Sequence, residues 1–286
     1  MTKGADPDEA SSDVIWLDGA LVDRATARLD PSDRGLLLGD GLFETILVRS
    51  GQAQHLESHL LRLADSARLL GIPLPVDAPG IAVAIEHLLT TRALQNGLAA
   101  LRITLTRGAG LRGLLPPVAP KPHLLMTATS YHPPAQPSFT AQLVSIRRNE
   151  GSPLSRIKSL NYLDNVLALQ EAVAAGADEA LLCNNAGFIC GGSRTNLFVV
   201  CRGKLLTPPL TDGVLDGIQR RIVLQRATEA GYQVREQSLR PVDLPDIDEA
   251  FVTNSLMEIM PLTRIDRRDL AIGPVTRTLI ESISQS

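Results

Sequence analysis

Apolar side chains recur along this chain in two periods, and each change of period marks the edge of an element. Val14 to Leu17 and Ala20 to Val22 flank Asp18-Gly19, a favoured two-residue turn, and predict a hairpin. Phe43 to Val48 predicts a third strand. From His55 to Leu70, the residues Leu56, Leu60, Leu63, Ala67 and Leu70 fall on one stripe that Gly71 ends, the pattern of an amphipathic helix. A second helix is expected over Ile81 to Gln95, and strands over Ala100 to Thr106 and His123 to Ser130. Residues 14–130 therefore read as a small α+β domain. Tyr131 to Pro137 holds three prolines in seven residues, which disfavours helix and sheet and places a linker at 131–139.

Residues 140–286 read as a larger second domain. Strands are expected at Thr140 to Ile146, Glu179 to Cys183, Thr195 to Val200, Gln233 to Ser238 and Glu249 to Thr253. Helices are expected at Ile218 to Ala230 and Val275 to Ser284. Between Asn161 and Ala175 the apolar positions Tyr162, Val166, Leu169 and Val173 recur at three- and four-residue intervals before Gly176, so a further helix is predicted with that stripe on the core.

Composition narrows the function classes. With 286 residues the chain can bury two cores, and 44% apolar with 21% charged residues is ordinary for a globular protein. A formal charge of −3 with scattered basic residues argues against a nucleic-acid binder. Cys183, Cys190 and Cys201 lack metal-ligand spacing and are expected as free thiols in a reducing compartment. Met1 to Asp13 is polar, and no long apolar run occurs, so the expectation is a disordered tail at 1–13, no secretory signal, no membrane span and a cytoplasmic location.

The residue that changes this picture is Lys158. Arg156-Ile157-Lys158-Ser159-Leu160-Asn161-Tyr162 sets a lysine at a loop-to-helix entry, where an amine can lose solvation. A lysine that forms an imine with an aldehyde needs its neutral form near neutral pH, which desolvation promotes. Other segments stand in register with it. Upstream are Asp33-Arg34-Gly35 through Gly41-Leu42-Phe43-Glu44-Thr45, His59-Leu60-Leu61-Arg62-Leu63 and Arg107-Gly108-Ala109-Gly110-Leu111-Arg112-Gly113. Downstream are Gly191-Gly192-Ser193-Arg194-Thr195-Asn196-Leu197-Phe198, Asp216-Gly217-Ile218-Gln219-Arg220 and Thr253-Asn254-Ser255-Leu256-Met257 with Met260-Pro261.

In order and spacing, roughly from Trp16 to Ile272, these segments resemble the class IV aminotransferase family of pyridoxal-phosphate enzymes. Within it, the Arg107 to Gly113 segment and Asn254 to Met257 favour the 4-amino-4-deoxychorismate lyase branch over the D-amino-acid and branched-chain aminotransferases. The resemblance implies a two-domain fold-type IV protein with pyridoxal 5'-phosphate in an interdomain cleft. It implies that Lys158 carries the cofactor and moves the proton. It places Arg62, the backbone at Ile218 and Gln219, and Ser255 or Asn254 around the phosphate, with Tyr162 on the phenolic oxygen. A guanidinium fork suits the substrate carboxylates; Arg112 is the matching position, Arg107 the runner-up, and Phe43 lines the substrate. A homodimer acting on a small molecule is implied as well.

Three positions depart from the family pattern. Leu114 stands where the D-type has a carboxylate-trapping histidine, and Leu47 where the branched-chain type has an arginine. Gly191 stands where the family usually has a glutamate that pairs with the protonated pyridine nitrogen. Loss of that acid weakens the ring as an electron sink. A lyase whose product aromatises should tolerate this better than a transaminase, and a catalytically impaired relative is the third outcome.

Overall fold

The computed structural model describes residues 13–284, so the expected N-terminal tail lies outside the described residues apart from Asp13. The chain divides into two compact units. The first runs to His132 and takes in Lys158–Asn161; the second comprises Pro133–Ile157 and the chain from Tyr162 onward.

In the first unit the hairpin of β1 (Val14–Leu17) and β2 (Ala20–Asp23) is followed by a short α1 (Arg34–Leu38). Then come β3 (Gly41–Arg49), β4 (Gln52–Ala53), α2 (Leu56–Leu70), α3 (Ala78–Thr91), β5 (Leu98–Thr106) and β6 (His123–Ser130). Among the described residues the strands form one six-stranded antiparallel sheet in the order β2-β1-β6-β5-β3-β4. Ile46, Leu101, Ile103 and Leu105 of the sheet are fully buried, as are Leu63 of α2 and Leu88 of α3. The polar residues Glu44, His59 and Arg62 are buried as well, which an amphipathic pattern does not require.

The second unit carries β7 (Phe139–Arg148), α4 (Leu163–Ala174), β8 (Glu179–Asn184), β9 (Ile189–Gly192), β10 (Asn196–Cys201) and β11 (Lys204–Thr207). It continues through α5 (Ile218–Glu229), β12 (Gln233–Glu236), β13 (Glu249–Asn254), β14 (Glu258–Ile265), β15 (Arg268–Asp269) and α6 (Pro274–Ser284). The strands join as a mixed sheet in the order β12-β11-β10-β13-β14-β7-β8-β9, with β15 on β14. One face packs on itself through Leu181, Leu197, Val199, Val252 and Leu262. On the other, Phe198 and Phe251 stack with ring centres 5.1 Å apart among Val223 of α5 and Leu279 of α6.

Two sequence readings need correction. On α4 the side turned inward is Ala168 and Ala172, packed with Ala180, Leu182 and Val144, while Val166 is 46% and Val173 60% exposed. Small alanines let the helix approach the strands closely, and the bulkier stripe is left outside. The glycine-rich bend before Asn196 is in part strand β9, and β14 and α1 were not anticipated.

Candidate functional site

The residues singled out by sequence fall in both units. In the first, the stretch Lys158–Asn161 lies beside β3: Phe43 donates its N–H to the Lys158 carbonyl at 2.9 Å, and Leu160 donates to the Gly41 carbonyl at 2.9 Å. The lysine expected with the second domain is thus bonded into the first. Its Nζ stands 4.4 Å from the Phe43 ring centre, and the Arg102 guanidinium lies 4.0 Å from the same ring. Lys158 is half-buried rather than enclosed.

Arg62 projects from α2 into a buried charge cluster. Its Nε donates to Glu44 Oε1 at 2.8 Å and its Nη2 to Oε2 at 2.6 Å, and His59 Nδ1 lies 2.7 Å from the same Oε2. Burial alone would push the Glu44 carboxyl up, but the hydrogen bonds and charges of His59 and Arg62 outweigh it and hold the pKa below the usual value. Glu44 and His59 were missed as site residues. The available signal was a glutamate beside Phe43 and a histidine three positions before Arg62, one helical turn away on the same face.

A second cluster answers which arginine of the glycine-rich loop is free to meet a ligand. Arg107 is buried, with Nε on Asp40 at 2.8 Å, Nη1 on the Gly71 carbonyl at 2.9 Å and Nη2 on the Leu70 carbonyl at 2.7 Å, so it ties the loop to the end of α2. Asp40 also takes Arg34 Nε at 2.8 Å, while Arg34 Nη1 and Nη2 hold the carbonyls of Gly113 and Leu114 at 3.0 and 2.8 Å. Arg112, between these anchors, is exposed.

In the second unit α5 begins at Ile218 behind Gly217, and no side chain caps its first amides. Asn196 Nδ2 donates to the Leu215 carbonyl at 2.9 Å, and a Cβ on Gly217 would fall 2.0 Å from Asn196 Oδ1, so the helix start is drawn close against β10. Asn196 pairs with Thr253 in the sheet. Thr253 Oγ1 and Gln219 Nε2 are buried without a hydrogen-bond partner. Just beyond, Asn254 Oδ1 accepts from the amides of Leu256 and Met257 at 3.0 and 2.8 Å, which sets the turn carrying half-buried Ser255. Tyr162 is the half-buried N-cap residue of α4.

Comparison with known proteins decides the family. The model described as amino-transferase class IV matches residues 41–265. The chain belongs to the class IV aminotransferases. It is therefore an enzyme of a pyridoxal-phosphate-dependent family, with the mixed α/β fold of fold type IV. It is 38% identical over 272 residues to a Methanocaldococcus jannaschii protein whose assignment as a branched-chain-amino-acid aminotransferase is provisional, covering 93% of this chain and 94% of that one. It is 30% identical to the aminodeoxychorismate lyase of Bacillus subtilis, over 88% and 87% of the two chains. Among solved structures, the Thermoproteus uzoniensis branched-chain aminotransferase with norvaline gives a TM-score of 0.90 at 31% identity, covering 96% and 94%. The Pseudomonas aeruginosa 4-amino-4-deoxychorismate lyase gives 0.83 at 33% identity, covering 95% and 98%.

The residues present suit the family's cofactor. A phosphate calls for amide and hydroxyl donors at a helix N-terminus, and the uncapped start of α5 with the orphaned Gln219 Nε2 and Thr253 Oγ1 offers that donor set. At Gly191, where the resemblance expects a glutamate, the backbone has its own requirement. The residue adopts φ +124°, and a Cβ there would lie 3.0 Å from the Thr195 carbonyl, so the backbone is unsuited to a glutamate. Glu179 is buried nearby but saturated: it accepts from Ala180 N, from Ser193 N and Oγ, and from Thr195 Oγ1, and thereby fixes the turn before β10.

Proposed function

We propose that this enzyme is a lyase that converts 4-amino-4-deoxychorismate to 4-aminobenzoate and pyruvate. The observation that carries the reading is the loop from Arg107 to Gly113. One of its arginines is wholly engaged inside the unit, while Arg34 holds the loop so that Arg112 stands exposed between glycines. Such a fork suits a substrate with a carboxylate away from the reacting amine; a branched aliphatic side chain offers it nothing.

When bound, the cofactor supplies a ring that withdraws electrons from the substrate carbon next to the amine. Lys158 would hold the cofactor, and its Nζ would accept the proton from that carbon. The bond to the pyruvate oxygen on the neighbouring carbon then breaks, the ring aromatises, and a proton completes pyruvate. Arg62, Ile218, Gln219 and Ser255 or Asn254 would bind the phosphate, Glu44 and His59 orient Arg62, Tyr162 would donate to the phenolic oxygen, and Arg112 and Phe43 would receive the substrate. We further propose a homodimer working in the cytoplasm.

The second reading is an aminotransferase for branched-chain amino acids, favoured by the 38% identity to the Methanocaldococcus jannaschii protein. Purified enzyme given each substrate in turn separates the two. Fluorescent 4-aminobenzoate with stoichiometric pyruvate is expected. Faster amino transfer from leucine or valine to 2-oxoglutarate would overturn the lyase reading, and absence of a visible cofactor band would indicate an impaired relative.

A further inference from the structure

Asp212 of the second unit is a buried carboxylate left without a partner. It is 7% exposed, its Oδ2 has no hydrogen bond, and among the described residues no ion pair reaches it. A buried charge in this condition is costly unless something compensates it. The side chain is not loosely placed, because its backbone is held on both sides. Asp212 N donates to the Pro209 carbonyl at 3.0 Å, and Asn184 Nδ2 donates to the Asp212 carbonyl at 3.2 Å.

Its neighbours set it beside the position where the family's acid is missing. Leu210 and Val214, on either side, pack with Leu182 and Cys190. Leu182 is the cross-strand partner of Gly191, and Cys190 is its neighbour in the chain, so this cluster stands beside that position. The Cys190 thiol is pushed up to about 11, chiefly by burial, with the charge of Asp212 adding to the rise and that of Arg148 opposing it. Of the other acids near β9, Glu179 has its oxygens occupied, and Glu150 caps the amides of Asn185 and Ala186.

We propose that Asp212 supplies the carboxylate that Gly191 cannot, pairing with the protonated ring nitrogen of the cofactor. An acid there keeps the ring protonated and so keeps it an effective electron sink. The loss at Gly191 is then a relocation of the acid to another segment. The inference rests on the family's cofactor and is indifferent to the choice between lyase and aminotransferase.

The test uses the full chain loaded with pyridoxal phosphate labelled with 15N in the ring. The wild-type nitrogen should show the shift of a protonated pyridine, and Asp212→Asn should move it toward the neutral value. The variant should also release cofactor more readily, by about tenfold or more, the scale of one charge-assisted hydrogen bond. Without cofactor the order reverses: removing an uncompensated charge should leave the melting temperature of Asp212→Asn equal to or above that of the wild type. A neutral ring nitrogen in the wild type overturns the proposal, as does an unchanged shift in a folded variant. Failure of the wild type to take up cofactor at all would overturn it together with the cofactor assignment, whereas a wrong substrate choice leaves these spectra untouched.

Discussion

Glu44 holds Arg62 by both carboxylate oxygens, at 2.8 and 2.6 Å, while His59 shares one of them at 2.7 Å. The three side chains come from β3 and one turn of α2, so the orientation of the guanidinium is set inside the first unit. A bidentate pair restrains an arginine far better than a single contact. Because the Glu44 pKa is lowered on folding, its contribution is complete above the ordinary glutamate range and lost as pH falls through the lowered value. Glu44→Gln should cost about 3 to 5 kcal/mol, the scale of a broken buried pair, and should reduce acid sensitivity. Urea unfolding at neutral and at acidic pH measures both.

Arg62→Ala should weaken cofactor binding about tenfold or more. The same change strands Glu44 in the interior, so retention must be scored on folded protein only. The double variant Glu44→Gln with Arg62→Ala separates the two effects: it should recover stability relative to Arg62→Ala without recovering cofactor affinity. Unchanged retention in Arg62→Ala would reject the phosphate role.

Borohydride reduction followed by peptide mapping should label Lys158. A label on Lys121 or Lys204 would reject the assignment. Lys158→Ala should remain folded and lose the reduced adduct.

Arg107 and Arg112 should behave as opposites despite standing five residues apart. Arg107→Ala removes the partner of Asp40 and of two carbonyls, so it should destabilise by several kcal/mol, on the order of a broken buried network. Arg112→Ala changes an exposed side chain and should leave stability within about 0.5 kcal/mol. It should instead raise KM for the carboxylate-bearing substrate. Loss of stability in Arg112→Ala with unchanged KM would contradict this division.

Gly191→Ala and Gly191→Glu should both destabilise by about 1 kcal/mol or more, since φ +124° and the Thr195 carbonyl oppose any Cβ. Neither should raise amino-transfer rates. A stable, more active Gly191→Glu enzyme would mean that the backbone readily rebuilds around the acid.

Much of the fold could be read from periodicity, because strands such as β5 and β6 and helices such as α2 and α6 alternate or repeat as their burial demands. The reading of α4 went wrong at Val166 and Val173 for a physical reason: a stripe reports that a helix has an apolar side, and alanines at Ala168 and Ala172 gave a second one that packs more closely. β14 escaped notice because Glu258, Pro261 and Thr263 interrupt its alternation, although it lies between β13 and β7. For the candidate site, sequence proposed residues by motif, whereas the Arg34–Asp40–Arg107 cluster and Asp212 owe their character to groups brought close by the fold. No local spacing announces that a carboxylate will be buried unpaired.

The return of Lys158–Asn161 to the first unit has a consequence for how the protein is made. The hydrogen bonds between Gly41 and Leu160 and between Phe43 and Lys158 join segments far apart in the chain, and such pairings form late. During synthesis the first unit emerges without the segment that will flank β3. A fragment ending at His132 should accordingly be incomplete along that strand. The lysine proposed to carry the cofactor reaches its place only when the chain leaves the second unit and returns to the first.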